Sequence, residues 1–181
     1  MARRDGGRLD GYGPVKYAAL LNIGLFQLTW FACVVGGVVW GLAGLCLMLG
    51  FSVRAGVLKG DLLVAGTAAL CGFALDTAWI YLGILDYPGA LVAPAWIVML
   101  WIGVGLSVNH SLASFKSRPV LGGVLAACSA PWCYLVGESF GAVSVPQPAL
   151  LAVVAAAWFV VFCWGFARLE VLSPVPAELK T

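Results

Sequence analysis

The sequence predicts an all-α integral membrane protein, a bundle of six transmembrane helices with both termini on the cytoplasmic side. Three observations predict it. Hydrophobic residues make up 62% of the 181 and charged residues 10%, with a mean hydropathy of +1.01. That balance leaves too little polar surface to cover a soluble domain of this length. The apolar residues also fall into runs that can cross a bilayer as helices. Finally, all ten lysines and arginines lie at the ends of those runs or in alternate loops.

The first span is read over 16–35. Its basic start and apolar core resemble a signal peptide, but no small-x-small cleavage site follows, so it reads as an uncleaved helix. Arg3-Arg4 alone is too bare for a twin-arginine signal. The second span, 38–51, is short and is divided from the first by Gly36-Gly37, which could also lie within one longer, broken helix. The third is read over 61–83, the fourth over 93–115, the fifth over 119–141 and the sixth over 148–167. Pro131 should kink the fifth by removing a backbone donor. Residues up to Gly13 and from Ser173 onward read as polar tails. No internal repeat or linker divides the chain, so 1–181 is one membrane domain.

Charge sets the orientation. Arg3, Arg4, Arg8 and Lys16 stand at the start, Arg54 and Lys59 between spans two and three, Lys116 and Arg118 between four and five, and Arg168 and Lys180 at the end. The remaining loops carry none. By the positive-inside rule both termini are cytoplasmic, and removing a span would scatter the cations over both faces. No basic patch is long enough for nucleic acid. The six cysteines include no C-x-x-C pair and no neighbouring histidine at ligand spacing, so they read as small apolar fillers and no metal site is expected.

Polar side chains within the spans are costly and need partners. At ~1.5 Å per residue, Asn22, Thr67, Asn109 and His110 fall about 9 Å from the cytoplasmic ends. Gln27, Asp76, Ser107 and Ser129 fall near the middle, and Glu138 towards the outer face. His110, the only histidine, is expected on a helical stripe with Gly103, Leu106, Ser107 and Ser114. It is either a neutral tie between helices or a proton carrier or ligand contact. Asp76 shares a stripe with Gly72, Trp79 and Gly83. It must be protonated or served by donors such as Gln27 and tryptophan indoles. Glu138, on a stripe with Pro131, Tyr134 and Gly141, either belongs to a site or simply reaches water. Asp76 and His110 are the candidate catalytic residues. Asn22, Gln27, Trp30, Trp79, Asn109, Tyr134 and Glu138 are the candidate substrate contacts. Among the aromatics, Trp40, Trp96 and Tyr87 suit an interfacial belt. Trp30, Trp79 and Trp132 lie deeper and either pack or line a pocket for a lipid tail, an isoprenoid ring or an organic cation.

Several of these residues form a recognisable series: Asn22 with "FQLTWFACV" (Phe26 to Val34), then Gly72, Asp76 and Gly83. "APAWIVMLW" (Ala93 to Trp101) and "NHSL" (Asn109 to Leu112) follow, and last come Pro131, Tyr134, Gly137 and Gly141. In this the chain resembles the domain-of-unknown-function 2878 family of small bacterial inner-membrane proteins. It departs from that pattern at Ser129-Ala130, where a glycine pair is expected, and at "ASF" after "NHSL", where a basic and an aromatic residue are expected. The resemblance implies a multi-span helical fold in the bacterial inner membrane and no established reaction. Members are associated with genes for modifying membrane fatty acids.

Three functions fit. The favoured one is lipid-linked: binding or helping to modify membrane lipids, alongside a lipid-modifying partner protein. The second is a small proton-coupled carrier of a solute or organic cation, for which six spans imply a homodimer. The third is a non-catalytic membrane subunit. No nucleophile–base pair is visible, so catalysis is unassigned, and no cofactor is indicated.

Overall fold

The structure, a computed structural model, describes residues 13–172, and the polar tails expected before Gly13 and from Ser173 lie outside the described residues. Five α-helices follow in order: α1 Gly13–Arg54, α2 Leu58–Tyr81, α3 Ala95–Ser107, α4 Pro119–Ser139 and α5 Leu151–Leu172, with short 3-10 turns at Ala113–Phe115 and Pro148–Leu150. Four stretches are long and apolar enough to cross a membrane: Tyr17–Arg54, Leu58–Tyr81, Pro119–Ser139 and Pro148–Leu169. The chain is a multi-pass membrane protein.

α1 is not one rod. At Gly37 the backbone leaves helical space, with φ 65° and ψ −150°, a conformation essentially reserved for glycine. The arms on either side, 13–36 and 38–54, fold back on each other. A Cβ on Gly44 would meet Thr29 Oγ1 at 2.6 Å, and one on Gly41 would meet Cys33 Sγ at 2.6 Å. Both pairings are centred on Gly37, so the arms run antiparallel, as the division at Gly36-Gly37 anticipated.

α3 is the centre of the bundle. Met99, Leu100, Trp101 and Leu106 are buried, and α3 packs against both α1 and α2. Small residues let it approach closely. A Cβ on Gly105 would run into the backbone of Ala65, and one on Gly72 would run into the Trp101 ring. Such contacts suit membrane helices, where shape and dispersion replace the hydrophobic drive between them. α4 runs through Pro131 and packs along α5, with Gly123 against the Phe159 carbonyl.

The fourth expected span, 93–115, is corrected. The helix is only 13 residues, ending at Ser107; at ~1.5 Å per residue this is about 20 Å, too short to cross ~30 Å of hydrocarbon alone. Val108 N–H bonds Gly105 O, while His110 N–H and Leu112 N–H both bond Ser107 O. The chain thus tightens into a turn in which Asn109, His110 and Ser111 reach other helices. Those tertiary bonds win over continued helix, which the long apolar run alone had suggested. At the opposite end, the connection between α2 and α3 also folds inward, with Ile84, Leu85, Tyr87 and Ala93 buried. Asp86 and Ser144 form an antiparallel bridge between this loop and the α4–α5 loop, with N–H···O distances of 2.9 and 2.7 Å. Irregular backbone is tolerated here because its polar groups find partners within the protein.

Gly105→Val should lower thermal stability in detergent by about 1–3 kcal/mol, because backbone at Ala65 cannot yield as a side chain can. Gly66→Ala, whose Cβ would meet nothing within 4 Å, should leave the melting temperature unchanged or slightly raised. Equal melting of both variants would contradict the close α2–α3 packing.

Candidate functional site

Two buried carboxyl centres and one cavity stand out. The first centre is at the end of the bundle where α2 begins. Asp61, fully buried in the first turn of α2, accepts from Asn109 Nδ2 at 2.7 Å and lies 2.7 Å from His110 Nε2. With the proton on Nε2, the imidazole donates to Oδ2. Lys116 Nζ donates to Asn109 Oδ1, so the amide relays between ammonium and carboxylate. Burial lowers the Lys116 pKa below its ordinary value, and the nearby Asp61 charge opposes that shift. Phe51 closes one side, its ring edge-on to His110 at 5.0 Å. Beside this cluster, Ser111 donates its hydroxyl to Asn22 Oδ1 at 2.6 Å. The turn after α3 is therefore tied to α2 through Asp61 and to α1 through Asn22.

The second centre is deeper. Asp76 on α2 is fully buried and accepts three hydrogen bonds. Tyr87 Oη donates to Oδ1 at 2.6 Å, Tyr134 Oη to Oδ1 at 2.9 Å and Trp101 Nε1 to Oδ2 at 2.8 Å. These donors come from the α2–α3 loop, α4 and α3. All three are neutral, and no lysine or arginine takes part.

The cavity, about 680 Å³, lies between the first arm of α1, α3, α4 and α5, within the usual range of small-molecule sites. Its walls include Phe26, Leu100, Trp101, Ala126, Tyr134 and Trp158. An aromatic stack forms one side, with Trp158 against Trp101 at 5.0 Å and against Phe162 at 5.4 Å. It runs from Phe115 and Phe166 at one end to Trp96 and Trp132 at the other. Along α4 it extends from Gly122 to Val136, about 21 Å at ~1.5 Å per residue. Leu125, Ser129 and Trp132 on α4, with Gln27 and Phe31 on α1, are exposed at its margin. The slot therefore opens sideways between those two helices.

The candidate residues separate accordingly. Asp76 and His110 belong to different centres, and neither lines the cavity. Tyr134 connects the two features, since it lines the cavity and donates to Asp76. Gln27 does not serve Asp76 but lines the cavity, as does Trp30. Trp79 is buried, with no partner for its indole N–H. Asn109 meets Asp61 and Lys116 rather than Asn22, and Thr67 bonds only Leu63 O of its own helix. Glu138 is exposed and accepts from Val145 N–H at 2.7 Å, holding the α4–α5 loop. Tyr87 is buried on Asp76, not displayed in a belt, whereas Trp40 is exposed.

Sequence reasoning missed Asp61, Ser111 and Lys116 as site residues. Asp61 stood at a span boundary where an acid can reach water, so its depth gave no warning. Its partners Asn109 and His110 were expected about 9 Å deeper, so spacing along the chain gave no signal that paired them with it. Among the described residues, no group of three or more His, Cys, Asp or Glu is placed to hold a metal ion.

His110→Ala removes one of two partners of a buried carboxyl together with the imidazole packed on Phe51 and should cost about 3–5 kcal/mol; Tyr134→Phe removes one of three donors and should cost about 1–3 kcal/mol. Thermal melting in detergent measures both, and a larger loss for Tyr134→Phe would reverse the assigned ranking of the two centres.

A family model described as "Protein of unknown function (DUF2878)" matches residues 19–164, a stretch that includes both carboxyl centres and nearly all of the cavity lining. No curated protein and no solved structure matches the chain. The chain belongs to the DUF2878 family.

Proposed function

We propose that this protein binds a membrane lipid by one apolar chain, and that it presents or protects that chain for a lipid-modifying partner enzyme. The observation that carries the reading is the long, laterally open, largely aromatic cavity. A slot of about 680 Å³ opening between two apolar helices faces the molecules most abundant around it, the lipids of the bilayer. Its length along the helices suits an extended chain. Asp76 lies behind the wall and acts as a positioning residue: its carboxyl holds Tyr134 and Trp101 in place. The Asp61–His110 centre ties down the turn that closes one end, where Ser111 and Leu112 line the cavity. This support is for binding, and no reaction is proposed.

The same reading puts the protein in a bacterial inner membrane with both termini cytoplasmic and six crossings, one of them made by α3 together with the connections at its ends. It is supported by the folded-back arms of α1 and by the one-sided placement of Lys and Arg. A fluorescent protein fused after Thr181 should then mature and fluoresce, while an impermeant label on 85–92 should react from outside intact cells. Loss of fluorescence with labelling only after lysis would invert the topology.

Binding is tested by mass spectrometry of lipids retained after purification in mild detergent. The wild type should retain about one lipid per chain. Ala126→Trp, which fills the slot from α4, should reduce retention at least tenfold while the protein stays monodisperse. Retention unaffected by Ala126→Trp, or absent from the wild type, would overturn the proposal.

A further inference from the structure

The cavity is apolar over most of its length, but a few polar side chains interrupt it, and two of them reach its open margin. Gln27 on α1 and Ser129 on α4 both line it, and both are exposed at its open margin. Gln27 lies eleven residues after Lys16 and Ser129 ten residues after Pro119, so both fall about 15–17 Å along their helices. That is the same depth, near the middle of the ~30 Å core. Ser129 Oγ donates to Ala126 O of its own helix at 3.1 Å, which leaves its acceptor sites available. Gln27 makes no side-chain hydrogen bond among the described residues, although a carboxamide offers two donors and an acceptor. The other serines of the lining are less accessible: Ser107 is buried on Gly103 O, and Ser111, half-buried, is held by Asn22.

An unpartnered carboxamide at bilayer mid-depth is costly unless something polar meets it there. A lipid headgroup cannot, because it belongs at the interface. The carboxylate centre cannot, because Asp76 is buried behind Tyr134 and Trp101. Within the slot, the remaining source is the ligand's own chain. We propose that Gln27, with Ser129, selects an acyl chain bearing an uncharged oxygen function, such as a hydroxyl, part-way along its length. This deepens the lipid-binding reading and rests on it. The carboxamide would donate to the oxygen, and where the group is a hydroxyl its single proton would go to Ser129 Oγ. Apolar and aromatic walls on either side hold the unsubstituted segments. The slot's length favours such a chain over a compact ring.

The test uses the full chain reconstituted in nanodiscs containing equal amounts of two phosphatidylethanolamines. One carries a stearoyl chain, and the other the same chain with a hydroxyl near its middle. Retained lipid is read by mass spectrometry after detergent extraction. Wild type should enrich the hydroxylated probe about three- to tenfold, as expected of one or two hydrogen bonds made away from water. Gln27→Leu should lose the preference, retaining the two probes in about equal amounts, and Gln27→Asn should keep part of it. Ser129→Ala should reduce the preference without abolishing it. Equal retention of the two probes by wild type, or a preference unchanged in Gln27→Leu, overturns the selectivity while leaving lipid binding intact. Retention of neither probe overturns the binding reading itself.

Discussion

A carboxyl group removed from water has to be met by hydrogen-bond donors, and at Asp76 those donors come from three separate segments. Tyr87 brings in the α2–α3 loop, Trp101 fixes the face of α3, and Tyr134 draws α4 against them. Apolar packing between membrane helices is weakly directional, since lipid competes on nearly equal terms. The Asp76 node supplies direction: only one rotation of α2 puts the carboxyl where all three donors converge. Gly72, one turn earlier on α2, lets the Trp101 ring lie against the backbone. Without that gap the indole N–H would not reach the carboxyl.

The Asp61 node repeats this logic at the other end with different chemistry. Charged or chargeable partners, His110 and Lys116 through Asn109, replace phenols and indole. The difference follows from depth. Near the end of the bundle charged groups are less costly to place, whereas deeper in the membrane neutral donors are the less costly choice. Both nodes act on the cavity from behind. One sets the wall through Tyr134 and Trp101, and the other holds the turn that closes the end. The cavity itself remains apolar apart from a few hydroxyls and Gln27, which is why binding specificity is assigned to the slot and rigidity to the nodes.

The arrangement of α3 shows why a short helix persists in a membrane protein. Its 13 residues do not span a bilayer, yet it is the most enclosed helix of the fold. Its ends are continued by loops whose polar groups find partners within the protein: the Asp86–Ser144 bridge at one end and the Asn109–Ser111 contacts at the other. Parts of these loops, Ile84, Leu85, Tyr87 and Val108 among them, are buried, and their backbone groups bond within the protein, so groups that lipid would not satisfy are satisfied internally.

Composition and charge pattern alone determined the membrane class, the helical fold and the need for Asp76 and His110 to find partners. These follow from transfer energetics, which depend on residue type and hardly on neighbours. The break at Gly36-Gly37 was legible as well, because a glycine pair is a local conformational signal. Tertiary structure alone decided which donors serve which acid. Tyr87 is eleven residues from Asp76 and Tyr134 is 58, separations that carry no local periodicity. It also ended α3 at Ser107, because hydrogen bonds from Asn109, His110 and Ser111 to distant helices outweigh a local helical preference. The cavity belongs to the same category: it is the space left where α1 and α4 do not meet, and no single segment encodes a gap between two others.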